Sequence, residues 1–274
     1  MAVLGLGIQR SMQTRFEDMK GKWALILGVS SGFGAATAKA LARAGMNICG
    51  LHLDRKSGMP LVDQLVQDLE DLGAKTLFFN CNAADAQKRE QVLQDLSEKK
   101  IKIHVLLHSL AFGTLKPYLS TEDALGQKHM EMTLDVMAHS LVYWTQGLLA
   151  YEVLDRGGRV FAMTSAGGER VWKSYGAVSA AKAALESHIR QLALELAPYE
   201  ITANSIRAGV TDTPALRKIP GNQHMIELAT SKNPFGRLTT PEDVAQAIVA
   251  LSLPQCSWIS GNVLGIDGGE NIVD

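Results

Sequence analysis

Three side chains in the stretch TSAGGERVWKSYGAVSAAK, residues 164–182, could act together on one substrate: Ser165, Tyr175 and Lys182. A phenol can donate to an oxygen on which negative charge is developing. An ammonium close by lowers the phenol's pKa through its charge and can hold ligand hydroxyls. A serine hydroxyl can orient a carbonyl, or it can simply cap the end of a strand. Tyr175 and Lys182 are seven positions apart. On a helix that spacing turns through about 700°, so both would share a face, about 10 Å apart along the axis. The position one turn closer to the lysine is Val178.

The flanking sequence indicates what must hold these groups. Apolar runs bounded by glycine or polar residues predict strands at 23–29, 46–53, 75–83, 101–111, 158–166, 201–209 and 261–269. Amphipathic segments predict helices at 34–45, 60–73, 86–99, around 122–151, 177–197 and 241–253. Strands alternating with helices imply an α/β fold, a doubly wound parallel sheet of about seven strands. No linker and no internal repeat divides the chain, so residues 21–274 read as a single domain. Residues 1–20 read as an N-terminal extension: a docking arm, with a targeting peptide as the alternative, since Arg10 and Arg15 precede the first acid, Glu17.

Composition narrows the function. The net charge is −1 and apolar residues make up 46% of the 274. This is no nucleic-acid or membrane-surface binder, and no apolar run reaches the roughly 18 residues of a membrane span. Three scattered cysteines, Cys49, Cys81 and Cys256, fit a reduced, cytoplasmic protein. His104 and His108 lie on one predicted strand, where four residues span roughly 13 Å, so no metal site is expected.

Between the first strand and the first helix lies GVSSGFG, with Gly28, Gly32 and Gly34. Glycines here let backbone N–H groups approach a pyrophosphate at a helix N-terminus. The G-x3-G-x-G spacing resembles the short-chain dehydrogenase/reductase family, and the resemblance runs from about Lys22 to Gly269. It implies a Rossmann-type sheet and a nicotinamide cofactor held by Gly28, Ser30, Ser31, Gly32, Phe33 and Gly34. After the third strand, Asn82 and Ala83 stand where the family often has Asp-Val. Ser109, Leu110 and Ala111 follow the fourth strand. AGVTDT resembles the family's Pro-Gly-x-x-x-Thr segment, with Ala208 for proline; its Gly209, Thr211 and Thr213 would hold the nicotinamide and pyrophosphate. At the tip of the second strand, His52 occupies the place of an acid that would repel a 2′-phosphate. Arg55 and Lys56 could hold that phosphate, which favours NADPH and leaves NADH open.

Most members of that family carry Tyr-x3-Lys. Tyr-x6-Lys resembles the bacterial enoyl-[acyl-carrier-protein] reductases, as do HSLAFG (108–113) and LDVMAHS (134–140), and DTPALRKIP and NPFGRLTTPEDVA resemble the NADPH-using branch of these enzymes. Asp135 stands about where other short-chain members place a catalytic asparagine. The resemblance implies reduction of trans-2-enoyl thioesters on acyl carrier protein or CoA, with Tyr175 and Lys182 catalytic. It also implies a substrate flap around 213–240 and a homotetramer. Ser165 departs from the pattern, since many enoyl reductases carry a second tyrosine there. Its 17-residue spacing to Lys182 matches the ketone-reducing members. The alternatives are therefore a 3-ketoacyl-type carbonyl reductase using Ser165, Tyr175 and Lys182, and a nucleotide-binding regulator without catalysis. Retention of both Tyr175 and Lys182 argues against the regulator.

Overall fold

The structure, a computed structural model, describes residues 17–273. Seven parallel strands form one sheet: β1 (Trp23–Leu27), β2 (Asn47–His52), β3 (Thr76–Asn80), β4 (Ile103–His108), β5 (Leu154–Thr164), β6 (Thr202–Ala208) and β7 (Val263–Ile266). Their spatial order is β3-β2-β1-β4-β5-β6-β7. The helices are α1 (Gly32–Arg43), α2 (Met59–Asp71), α3 (Ala86–Glu98), α4 (Gln127–Leu134), α5 (Ser140–Ala150), α6 (Gly176–Glu195), α7 (Asn222–Lys232) and α8 (Pro241–Leu251).

Strand side chains alternate between two faces, and here both faces are covered. Leu25 and Leu27 of β1 point into a core with Leu106, Trp144 and Leu185. Ala24 and Ile26 point into the opposite core with Leu41, Leu107 and Ile248. Burial on both sides explains why β2 and β4 read as continuous apolar runs. Met19 is fully buried in the second core. Of the expected N-terminal extension 1–20, residues 1–16 lie outside the described residues.

β1 is hydrogen-bonded to β2 on one side and β4 on the other. The chain winds outward from this pair in both directions, so a crevice opens at their carboxyl ends, the general ligand position of such sheets. Every residue expected above to hold the cofactor or to act on the substrate lies at or beyond a strand's carboxyl end or on α6.

The expected long helix around 122–151 is three elements. Ser120 Oγ accepts from the N–H groups of Glu122 and Asp123, and Leu125 N–H donates to Pro117 O, so this stretch is a closed loop. α4 then begins at Gln127. Residues Asp135–His139 form a π-turn before α5. Extra-wide turns of this kind interrupt an α-helix without any glycine or proline, which is why the pattern shows no break. The third strand also ends earlier than expected. Asn82 Oδ1 accepts from Ala84 N–H and bends the chain toward Asp85, which caps α3 by accepting from Lys88 N–H.

Candidate active site

The cradle after β1 is set by close backbone approach. A Cβ at Gly28 would lie 2.5 Å from Ser109 O, and one at Gly34 would run into the Gly28 carbonyl. Gly28 also has φ +90°. Gly28 N–H and Val29 N–H both donate to Leu51 O, and Ser109 N–H donates to Leu27 O, so three strand ends lock the loop. Ser31 is the N-cap of α1, yet its side chain makes no capping bond. The first-turn N–H groups and the positive end of the helix dipole therefore face the crevice unshielded. Across it, Thr213 Cγ2 would lie 3.5 Å from a Cβ at Gly32. The cradle thus meets the 208–213 segment, as a pyrophosphate site requires.

At the tip of β2, the His52 ring is buried, and its Nδ1 lies 3.0 Å from Asp54 Oδ2. Asn80 grips the backbone of Asp54, with Nδ2 donating to its carbonyl and Oδ1 accepting from its N–H. Arg55 and Lys56 are exposed beside this knot. Ala83 is buried, and its carbonyl accepts from Trp144 Nε1. Leu110 packs at the edge of the core, and Ala111 is exposed.

Lys182 projects from α6 into the interior. Its Nζ donates to Met163 O at 2.5 Å. Burial pushes its pKa down to about 8, with the Glu186 carboxylate opposing the shift. Glu186 itself accepts from Thr164 Oγ1 at 2.6 Å. His108 is fully buried nearby. Its Nε2 lies 2.9 Å from Ser140 Oγ, whose hydroxyl donates to Val136 O. The imidazole is therefore the donor at Nε2, and Nδ1 has no partner among the described residues. Burial, reinforced by the Lys182 charge, drives the His108 pKa down to about 3, so the ring is neutral.

Tyr175 does not share a helix face with Lys182, which corrects the two-turn expectation. It is the N-cap residue (φ −100°, ψ 2°), following Ser174 with φ +61°, and α6 starts at Gly176. Its half-buried ring lies over Gly167, where an added Cβ would sit 3.0 Å from Tyr175 Cδ1 and 3.2 Å from Ser165 Oγ. Phenol and serine thus converge on one point. Burial raises the Tyr175 pKa, and the Ser165 hydroxyl, not Lys182, pulls it back. Ser165 Oγ also accepts from Gly167 N–H at 3.2 Å, so the capping role holds as well. Val178 is buried; its Cγ2 would lie 2.6 Å from a Cβ at Gly113.

In the remaining segments, Thr211 Oγ1 donates to Gly209 O, and Thr213 Oγ1 accepts from Leu216 N–H. Segment 213–240 contains α7 and is tied to the loop carrying Ser165 and Tyr175 by Trp172 Nε1, which donates to Pro220 O at 3.0 Å. Asp135 lines a depression of about 450 Å³ with Glu131, Met132, Leu134 and His139. That set contains none of Ser165, Tyr175 and Lys182. Sequence reasoning missed Trp172 and also Tyr118, whose ring packs against Gly176. Their only sequence signal is an aromatic residue in an otherwise polar loop.

A parallel sheet with this switch-point cradle, with Tyr175 at the entrance of α6 and Lys182 on it, defines a short-chain oxidoreductase. The family model described as enoyl-(acyl carrier protein) reductase matches residues 28–271, and the chain belongs to this family. It is 28% identical to the 3-oxoacyl-[acyl-carrier-protein] reductase of Thermotoga maritima, over 92% of this chain and 98% of that one. It is 27% identical to the NADH enoyl-[acyl-carrier-protein] reductase of Aquifex aeolicus, over 93% of each. The crystal structure of the Aquifex aeolicus enzyme superposes with a TM-score of 0.82, covering 93% of this chain and 98% of that one. Among the described residues, no helix is long and apolar enough to cross a membrane.

Proposed function

We propose that the protein reduces the carbon–carbon double bond of trans-2-enoyl thioesters carried on acyl carrier protein or CoA. The observation that carries this reading is the placement of Tyr175 at the entrance of α6, while Val178 fills the inner position as core. A ketone receives hydride on the carbon that bears its oxygen. An enoyl thioester receives it on the β carbon, two bonds from the carbonyl carbon, so the oxygen that becomes negative lies further from the hydride donor. A phenol set back from Lys182 suits the second geometry.

A nicotinamide cofactor would supply the hydride. The residues fit one: Gly28 and Gly34 allow the tight β1–α1 turn that brings backbone N–H groups to the crevice, and the first turn of α1 carries donors with no side-chain cap. Lys182 would hold the ribose hydroxyls. Its lowered pKa leaves it mostly charged at neutral pH and sensitive above about 8. Tyr175, kept protonated by its raised pKa, would donate to the thioester oxygen. Ser165 beside it would add a second hydrogen bond. We favour NADPH: His52 stands where an acid would repel a 2′-phosphate and engages Asp54, while Arg55 and Lys56 remain exposed. The related Aquifex aeolicus enzyme is named for NADH. A homo-oligomer, by family a tetramer, and a cytoplasmic location belong to the same proposal.

The convergence of Ser165 and Tyr175 favours a second reading, reduction of 3-ketoacyl thioesters, and the Thermotoga maritima relative carries that name. The deciding experiment compares crotonyl and acetoacetyl thioesters on one carrier, in wild type and in Ser165→Ala. Under the enoyl reading the alanine variant is mildly impaired, since Tyr175 alone reaches the oxygen. Under the ketone reading it is severely impaired.

A further inference from the structure

The C-terminal turn after β7, Glu270–Ile272, reaches back to three separate parts of the site. The Glu270 carboxylate accepts from Val210 N–H through both oxygens, at 3.1 and 3.3 Å. Next to it, Gly209 is packed so closely that a Cβ would lie 2.8 Å from Glu270 Oε2 and collide with Thr239 Oγ1. Arg170, from the loop carrying Ser165 and Tyr175, donates to Asn271 O at 2.9 Å. Asn233, at the end of α7, donates to Asp267 O at 2.9 Å. Pro234 packs on Gly269, with its Cγ 3.2 Å from where a Cβ would be. The segment expected to receive the nicotinamide, the catalytic loop and the end of the substrate segment are thus held by seven consecutive residues, 267–273.

A half-buried carboxylate is costly unless its partners are fixed. Burial and Asp267 push the Glu270 pKa up, while Val210 N–H and the Arg170 charge pull it down. Packing alone would be served by an apolar side chain at this place. What the polar side chain adds is an oxygen acceptor for a single backbone N–H in the middle of 208–213.

We propose that Glu270 is a positioning residue: through Val210 it holds segment 208–213 in the shape that receives the nicotinamide end of the cofactor. It acts as the central tooth of a clasp formed by the C-terminal turn. The inference rests on the reading of 208–213 as a cofactor segment, but not on which double bond is reduced.

The test is cofactor affinity by titration calorimetry in the full chain, alongside steady-state rates with crotonyl thioester. Glu270→Ala should weaken NADPH and NADH alike by about tenfold, since both share the nicotinamide end. KM for the cofactor should rise with it, and kcat should change much less. Glu270→Gln should stay within about twofold of wild type, because its amide oxygen accepts the same N–H. If the alanine variant does not fold, Glu270→Asp takes its place: the carboxylate withdraws by one methylene, and the same tenfold loss is expected. Wild-type affinity in the alanine or aspartate variant would overturn the proposal. So would a glutamine variant as weak as the alanine one, which would indicate a structural role of the charge itself. A wild-type chain that binds neither cofactor would remove the reading of 208–213, and the clasp's role with it. Cofactor binding without enoyl reduction would leave the clasp standing and overturn only the substrate assignment.

Discussion

α1 and α8 pack side by side, and they begin in opposite ways. α8 is closed on itself. Thr240 Oγ1 accepts from Asp243 N–H, Asp243 accepts from Thr240 N–H, Pro241 needs no partner, and Arg237 pairs with Asp243 through its two terminal guanidinium nitrogens. The Asp243 carboxyl is held far below the usual range by Arg237. α1 has none of this: its N-cap serine makes no capping bond, no acid sits in its first turn, and glycines let the turn before it pack tightly against the strand ends. Both termini carry the same orphan N–H groups and the same dipole. One has been neutralised by its own side chains and is structural. The other is left for an anion from outside.

That contrast can be broken from either side. The largest effect is expected at the open end. Gly34→Val places a side chain against the Gly28 carbonyl and 3.1 Å from Val29 Cα. Cofactor affinity should fall by about a hundredfold or more, because the cradle can no longer close on a pyrophosphate; calorimetry with NADPH measures it. Next is Lys182→Ala, with at least about 2 kcal/mol lost in kcat/KM from removal of a charged donor.

The same lysine sets a pH signature. Its folded pKa lies at about 8, below the ordinary 10.5. The ammonium is present below about 8, so kcat/KM should fall as pH rises through that value. Between about 8 and 10.5 the unfolded chain holds a proton that the folded chain lacks, so this group makes stability rise with pH across that window. Lys182→Met should remove that slope in denaturant titrations.

At the far edge of the open end, Arg55→Ala should weaken NADPH by about tenfold and leave NADH unchanged, as expected for a lost charge-assisted contact to the 2′-phosphate. The smallest effect belongs to the closed end. Thr240→Ala should cost about 1 kcal/mol of stability and leave both cofactor affinities untouched. A cofactor effect at Thr240 would erase the distinction between the two termini.

Features written in local sequence were the legible ones. The glycine cradle and the strand–helix alternation follow from neighbouring residues and their periodicity, whereas the switch-point crevice follows from the strand order. The π-turn at Asp135–His139 was not legible, because no glycine or proline marks it. The start of α6, expected at 177, lies at Gly176, but the conformation that leads into it was not legible. Ser174 takes a positive φ although it is not glycine, so Tyr175 caps the helix without continuing it and the two-turn geometry does not hold. The bond from Glu270 to Val210 spans 60 residues, and the donation from Trp172 to Pro220 spans 48. No local pattern announces either. Ser165 was legible as a residue and open as a role, and the structure gives it both a cap and a place beside the phenol.

The central claim is that a phenol displaced to the helix entrance serves an enolate oxygen rather than a ketone. The most direct measurement is the ratio of kcat/KM for crotonyl and acetoacetyl thioesters on the same carrier, with NADPH oxidation followed for each. The expected result is a preference for crotonyl of at least about tenfold, or about 1.4 kcal/mol in transition-state stabilisation, with Tyr175→Phe slowing that reaction while NADPH affinity stays near wild type. A faster turnover of acetoacetyl thioester, lost in Ser165→Ala, would contradict it and make the protein a ketone reductase.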